Sequence, residues 1–196
     1  MRALSFLLFG FVLAACAQPD IPNDQYYRLS SKAVVSVASA ARLGVIEVDR
    51  FAADGVTGER ALVYSRSDSP NVLRQYHYHY WVEAPTRLVQ EQVLAALRES
   101  KLAGSVVTPD LRANADYRLK GRIRRFEQVL AGGTATASVE IETALVSLRD
   151  GKVVALATYR EEDRTSDESP AAAVAAFDRA LARLFGRLIA DLARLP

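Results

Sequence analysis

The sequence contains very few of the residues that catalysis and metal binding most often require. Its 196 residues include one cysteine, two histidines, one methionine and one tryptophan. A single cysteine cannot form an intrachain disulfide or a cysteine-rich zinc site, and a catalytic zinc site takes three protein ligands. A Gly-x-Ser-x-Gly nucleophile motif is also missing from the sequence. We therefore expect a protein that is not an enzyme, with no catalytic residues and no metal site.

A strong charge of either sign is missing as well. Lys and Arg number 25 against 23 Asp and Glu, which gives a formal net charge of +2. Domains that bind nucleic acid usually carry a marked basic excess, so we expect no nucleic-acid partner. Half of the residues are hydrophobic and 24% are charged, which is ordinary for a globular protein. The length suits one domain with a proper core.

The one long apolar run lies at the N-terminus, between residues 3 and 15, and follows a single cation. This pattern is typical of a secretory signal, and it is shorter than the ~20 residues that a membrane-spanning helix needs. The run ends in Leu13-Ala14-Ala15 before Cys16, which resembles the lipobox of bacterial lipoproteins. We expect residues 1–15 to be a signal peptide, cleaved between Ala15 and Cys16. Covalent lipid on Cys16 is then the only added group, and no other cofactor is expected.

Two other interpretations of this segment stay open, namely a plain secretory signal with an incidental cysteine and a short membrane anchor. With lipidation, the mature chain starts at Cys16 and keeps 24 Lys and Arg against 23 Asp and Glu, since Arg2 is lost. Two or more acyl chains hold a protein stably on a membrane. Ala17, rather than aspartate, follows the cysteine. By the sorting habits of bacterial lipoproteins this favours the outer membrane, facing the periplasm, over retention in the inner one.

The mature chain has the pattern of a tether followed by one α+β domain. Residues 16–25 contain two prolines and no apolar periodicity, and they form the predicted tether of up to ~30 Å. In the domain, residues 26–196, apolar spacing predicts amphipathic helices at about 86–100 and 170–194. Alternating or β-branched segments predict strands at 26–29, 43–48, 62–65, 72–81, 117–126, 134–148 and 152–160. We expect a mixed or antiparallel sheet with both helices packed on one face and a polar opposite face.

An aromatic run, Gln75-Tyr76-His77-Tyr78-His79-Tyr80-Trp81, lies within one predicted strand. Strict alternation would place the three tyrosines on one face and both histidines with the tryptophan on the other. The two histidines suggest a metal site, but a third ligand is not apparent. Ordinary cross-strand packing is one interpretation. The other is a contact surface for a partner or lipid, with Tyr76, Tyr78 and Trp81 as candidates.

A row of cations occupies even positions of another predicted strand, namely Arg118, Lys120, Arg122 and Arg124. Alternation places all four on one face. One interpretation is a solvated ion ladder, in which Glu140 and Glu142 of a neighbouring strand pair with them. The other is a basic contact surface for anionic lipid head groups or an acidic partner.

The order of these segments and the residues in them resemble one protein family over nearly all of the mature chain. The resemblance rests on the following segments: the lipobox at Cys16, residues 26–29, Leu62-Val63-Tyr64 through Tyr76, Trp81 and Pro85, residues 117–123 with Phe126-Glu127, residues 137–141 and the Ala-rich segment 175–181. These features resemble the ABC-type transport auxiliary lipoproteins, a family that includes the paraquat-inducible C lipoprotein.

The resemblance implies a non-enzymatic partner of an MCE-type ABC system that moves phospholipids or other lipids between the envelope membranes. In such systems the lipoprotein sits at the outer membrane and meets a periplasmic MCE-domain protein. Only Cys16 receives a defined role from the family, and homo-oligomerisation is left open. Two alternatives are a periplasmic lipid-binding carrier and a structural or assembly-pilot outer-membrane lipoprotein unrelated to transport.

Overall fold

The computed structural model of the protein describes residues 22–32, 38 and 41–195. The predicted signal peptide, Cys16 and most of the tether lie outside the described residues. The described residues form nine strands and two α-helices. The strands are β1 Gln25–Tyr27, β2 Leu43–Val48, β3 Ala52–Ala53, β4 Ala61–Arg66, β5 Ser69–Trp81, β6 Ala103–Val107, β7 Tyr117–Leu130, β8 Ala135–Ser147 and β9 Val153–Arg164; the helices are α1 Pro85–Ser100 and α2 Pro170–Leu192.

All nine strands belong to one mixed sheet centred on β7. Strand β8 runs antiparallel to β7 along its whole length, and β9 forms the edge beyond β8. The other side of β7 is shared by β2, β3 and β4, which all run parallel to it. From there the sheet continues through β2 to β6 and through β4 and β5 to β1. The predicted α+β class with a mixed sheet and two helices is confirmed.

Local sequence explains the position of α2. The Ser169 hydroxyl accepts a hydrogen bond from the Ala172 amide at 3.2 Å, and Pro170 occupies the first helical turn. Both features stabilise a helix start, because they satisfy or remove amides that have no partner inside the helix. Apolar residues then recur every three or four positions on the face that packs on the sheet. This buried stripe contains Phe177, Leu181, Leu184, Phe185, Leu188 and Leu192.

The core joins both helices to one face of the sheet. At its centre the rings of Phe126 and Phe177 stack at 4.4 Å between centroids, and Trp81 lies 5.4 Å from the first and 5.7 Å from the second. Nearby, a Cβ atom at Gly121 would overlap the ring of Phe51. Glycine at this position of β7 therefore allows the aromatic ring to pack directly on the backbone.

Candidate functional site

Strand β5 does not alternate regularly, and this changes the interpretation of its aromatic run. Ala61 pairs with Tyr80 and Val63 with Gln75, so two residue steps of β4 lie opposite five of β5. Inside this bulge Tyr78 has a positive φ of 65°. A bulge re-aims the side chains that follow it. The prediction that every second residue of the run shares a face is therefore wrong.

The bulge turns Trp81 into the core. Its side chain is 1% exposed and packs against the central phenylalanines. The assignment of Trp81 to a contact surface is corrected for this reason. Tyr76 lies on the same side of the sheet and packs at the margin of this core. Of the three aromatic candidates, Tyr78 is the most exposed, at 37%.

Tyr76 and His79 make internal contacts. The Tyr76 hydroxyl donates to Gln128 Oε1 at 2.7 Å, and its ring lies 4.5 Å from that of Tyr64. Burial, with smaller contributions from Tyr64 and Glu168, raises the pKa of Tyr76 to about 12. His79 Nδ1 lies 2.9 Å from the Tyr27 hydroxyl, and the two rings stack. Cross-strand packing therefore accounts for these side chains.

In the part of the chain that the structure describes, no three His, Cys, Asp or Glu side chains are placed to hold a metal ion. The same part contains no helix with the length and apolar character needed to cross a bilayer.

The row of cations on β7 is largely paired with acids. Arg118 Nε lies 2.7 Å from Glu47 and 3.6 Å from Asp49. Arg122 pairs with Asp54 at 2.8 Å, and Arg124 pairs with Glu142 at 3.0 Å. The interaction between Arg124 and Glu142 is the one that strand alternation predicts, whereas the three other acids come from elsewhere in the fold.

Lys120 alone of the four cations has no ion pair within residues 22–32, 38 and 41–195. Glu140, the second acid expected to join the row, pairs instead with Arg160 of β9 at 2.8 Å. Because neighbouring acids compensate three of the four cations, the arrangement favours the solvated ion ladder over a basic surface.

One half of the edge strand β9 is covered by arginines of α2. Arg179, Arg183 and Arg187 donate to the backbone carbonyls of residues 164, 162 and 160, respectively. They also pair with the carboxylates of Glu161 and Asp163, at distances of 2.6–3.0 Å. An uncovered strand edge invites pairing with another chain. The arginines block that edge along the C-terminal half of β9.

The Asp163 carboxylate is held in its charged form by these contacts. Burial raises the pKa of Asp163, but hydrogen bonds from Arg179 and Arg183 outweigh it and leave the pKa below the ordinary value of 3.8. The side chain is 15% exposed. The ion network is thus part of how α2 is fastened to the sheet edge.

The other half of β9 is apolar and uncovered. Val153 is 58% exposed, Val154 is 40% exposed and Leu156 is 68% exposed, and Leu148 in the preceding turn is 38% exposed. We call these four residues the far-end patch. Sequence analysis missed it, although residues 153–157 contain no polar residue, unlike residues 158–164, of which five are charged. In an edge strand, apolar residues on both faces indicate that one set is exposed.

The two ends of the domain can be told apart by following the strands. The turn between β4 and β5 and the turn between β7 and β8 lie together, because Ser67 donates to the Leu130 carbonyl at 2.9 Å. The start of α2 is at the same end, since the Gly133 amide donates to Glu168 at 2.8 Å. The far-end patch is at the other end, because α2 runs along β9 from residue 164 toward residue 153. An α-helix of 23 residues, the length of α2, separates the ends by about 35 Å.

Residues 22–24, the described residues before β1, lead toward the first of these ends. Strand β1 runs parallel to β5, with Gln25 beside His79 and Tyr27 beside Trp81. The residues before Gln25 therefore lead toward the turn between β4 and β5, and Asp24 lines a cleft together with Gln75. We call this end the tether end, and the far-end patch faces away from it.

Comparison with known protein families assigns the chain to one family. The family described as the ABC-type transport auxiliary lipoprotein component matches residues 27–188. The chain belongs to this family. The matched stretch includes every strand from β2 to β9 and all of α2 except its last turn. The members of this family are auxiliary lipoprotein components of ABC-type transport.

Individual relatives agree in fold. A Xanthomonas campestris protein of known crystal structure is 23% identical, and the alignment covers 84% of this chain and 92% of that one with a TM-score of 0.73. A hypothetical Chlamydia trachomatis protein is 10% identical over 78% of this chain and 97% of its own, with a TM-score of 0.54. At these identities the likeness shows the fold alone. An uncharacterised Bradyrhizobium diazoefficiens protein is 31% identical over 109 residues, or 56% of this chain, and the chain spans 29% of that relative.

Proposed function

We propose that the protein is anchored by lipid on Cys16 to the periplasmic side of the outer membrane and docks an MCE-domain protein of an ABC system for lipids. Family membership supports a role in ABC-type transport. The observation that carries the docking role is the far-end patch, whose most exposed residue is Leu156 at 68%. Exposed apolar side chains grouped in this way are typical of interaction sites.

The position of the patch suits a partner that arrives from the opposite membrane. Cys16 and Gln25 are nine residue steps apart, and a chain of this length extends to at most ~30 Å. The domain adds about 35 Å, the length of α2. Because Gln25 lies about 17 Å inside the tether end, at the base of the hairpin of β4 and β5, the far-end patch then stands up to ~50 Å from the anchoring membrane. Docking and tethering, without chemistry on a substrate, constitute the mechanism.

The anchor is tested by metabolic labelling with radioactive palmitate followed by separation of the membranes. Wild-type protein should carry the label and sediment with the outer membrane, and Cys16→Ala should lose both properties because the acyl chains have no other attachment site. Unlabelled wild-type protein would contradict the anchor. Label recovered with the inner membrane would contradict the outer-membrane location alone.

The docking role is tested by crosslinking in cells and affinity capture with an MCE-domain protein encoded beside this chain. Leu156→Asp combined with Val153→Asp should lower capture by ~30-fold or more, since truncating a central interface residue typically costs ~2 kcal/mol or more. The matched control is Ala95→Asp combined with Ala175→Asp, which adds the same two charges at exposed helix positions outside both the far-end patch and the hairpin of β4 and β5. Capture of the control at the wild-type level is expected. Failure to capture the MCE protein with wild type after crosslinking would count against the role.

A lipid carrier is the main alternative, and it requires an apolar cavity for acyl chains. A cleft of about 550 Å³ is instead lined by charged and polar groups that include Asp116, Arg149 and Asp150. Phospholipid recovered by mass spectrometry from the purified protein, beyond its own anchor, would support the carrier. For an assembly pilot, the discriminating observation is gene neighbourhood, since a pilot needs no adjacent permease, ATPase and MCE genes.

A further inference from the structure

We propose that the hairpin of β4 and β5 rests on the anchoring membrane and places Val72 and Leu73 among the lipid head groups. The contact would be a second attachment beside the lipid on Cys16, and it would fix the direction in which the far-end patch points. The proposal deepens the proposed function and rests on its lipid anchor, but it does not depend on which partner docks.

The first argument is the direction of the hairpin. Its turn lies at the tether end, toward which the residues before Gln25 lead. From the pair Ala61 and Tyr80 to the pair Arg66 and Ser69, the hairpin projects five residue steps of β4, about 17 Å at 3.3–3.4 Å per residue. The hairpin turn and the anchor therefore lie on the same side of the domain.

The second argument is the length of the tether. Cys16 and Gln25 are nine residue steps apart, which span at most ~30 Å when fully extended, whereas a random-coil chain of nine steps has a root-mean-square span of about 15–18 Å. That span matches the ~17 Å projection of the hairpin. At this root-mean-square span, the hairpin turn reaches the membrane surface. Only an extended tether lifts the turn away from it.

The third argument is the exposure of the side chains that the hairpin presents. Between the pairs Arg66–Ser69 and Tyr64–Arg74, two residue steps of β4 face five of β5, so the intervening residues bulge out of the ladder. Val72 is 46% exposed and Leu73 is 41% exposed. Both side chains are therefore exposed within this bulge, and the core covers neither of them.

Charged groups beside the apolar pair suit a head-group layer. Arg66 and Arg74 are exposed on the two strands, and Arg66 pairs with Asp68 at 3.4 Å across exposed surface. Arginine side chains cover apolar surface with their stems while the charge stays in water or meets lipid phosphates. Among the described residues Arg74 has no ion pair. The end of the hairpin thus combines two apolar side chains with cations, which is the composition of a surface that lies in a membrane interface.

The test uses the fact that Cys16 is the only cysteine of the chain, so a second cysteine is a unique labelling site once the first carries lipid. Val72→Cys and, as the matched control, Val153→Cys are made in the full acylated chain and labelled with an environment-sensitive fluorophore. Both are reconstituted into vesicles of phosphatidylethanolamine and phosphatidylglycerol. We expect the label at position 72 to shift its emission to shorter wavelength, and iodide to quench it several-fold less than the label at position 153.

The outcomes separate the hairpin from the anchor. Flotation of both variants with the vesicles shows that the lipid anchor attaches them. If both float and iodide quenches the label at position 72 as strongly as the label at position 153, the hairpin contact alone is overturned. If neither variant floats, the lipid anchor is contradicted and the hairpin contact with it. If protection at position 72 appears only after an MCE-domain protein is added, the hairpin is a protein contact and the membrane assignment is overturned.

Discussion

Strands β5 and β9 lie on opposite sides of the central strand β7. In each strand one half is held by contacts with the rest of the domain, and we call it the secured half. The other half is apolar and exposed. In β5 the secured half ends in buried Trp81, and the exposed half contains Val72 and Leu73 at the tether end. In β9 the secured half is covered by the arginines of α2, and the exposed half contains Leu156 at the far end. The two exposed halves are therefore at opposite ends of the domain. Similar apolar side chains would meet a membrane at one end and a protein at the other.

The largest expected effect is at the secured half of β5. Trp81→Ala should lower the free energy of unfolding by ~3–5 kcal/mol, because it opens a cavity among buried aromatic rings. Tyr78→Ala, three residues away on the exposed side of the bulge, should change it by less than ~0.5 kcal/mol. Urea unfolding followed by circular dichroism measures both. Equal effects would contradict the division of β5 into a buried and an exposed half.

A smaller effect is expected at the secured half of β9. Arg183→Ala removes ion pairs with Glu161 and Asp163 and uncovers the carbonyl of residue 162. We expect a loss of ~1 kcal/mol, since the arginine is partly exposed and solvent screens its pairs. Sedimentation velocity should also show more self-association, because a longer stretch of strand edge is open. Arg194→Ala, whose pair with Asp191 is exposed, is the control, and an equal response there would contradict edge protection.

A pH-dependent effect should follow from Asp163. Its pKa is lowered by folding, so its contribution to stability is complete above its ordinary value of 3.8 and is lost as the pH falls through the lower folded pKa. Asp163→Asn should therefore be less stable than wild type at pH 7, and the difference should shrink below about pH 4. Urea unfolding across pH 2–7 tests this sign. A difference that grows on acidification would contradict it.

An effect similar in size to that of Arg183→Ala is expected for the hydrogen bond that secures the margin of β5. Tyr76→Phe removes the bond to Gln128 at 2.7 Å and keeps the ring stacked on Tyr64. A loss of ~1 kcal/mol is expected, since one net hydrogen bond is worth about 0.5–1.5 kcal/mol. Thermal unfolding measures the change. Loss of the whole near-ultraviolet dichroism would instead mean that Tyr76 helps to define the core.

Local patterns in the sequence were sufficient to predict those features of the fold that neighbouring residues determine. Ser169-Pro170 and the apolar spacing after it gave α2 from residue 170, and Asp150-Gly151 lies in the turn that joins β8 to β9, as a hairpin signal predicts. The pair Arg124 and Glu142 followed from alternation on adjacent strands. In each case the determining residues are close in sequence or on directly paired strands.

The features that the sequence did not predict depend on pairing between strands that are distant in the sequence. The bulge in β5 depends on register with β4, and positive φ at Tyr78 has no glycine to indicate it. Alternation therefore placed Trp81 wrongly. Strand β6 was not predicted, because its residues Ala103-Gly104-Ser105 are poor strand formers and it is defined by parallel pairing with β2. The far-end patch required knowledge that β9 is an edge strand, which only the assembled sheet provides.

The measurement that tests the central claim most directly is site-specific photo-crosslinking in living cells. A photoreactive amino acid is placed at Leu156 of the far-end patch or, in a separate strain, at Val72 of the hairpin. The docking role predicts a crosslinked product that contains the MCE-domain protein from position 156 and none from position 72. Crosslinks to that protein from position 72 alone, or from neither position, would contradict the claim that the far end of this lipoprotein docks the transport system.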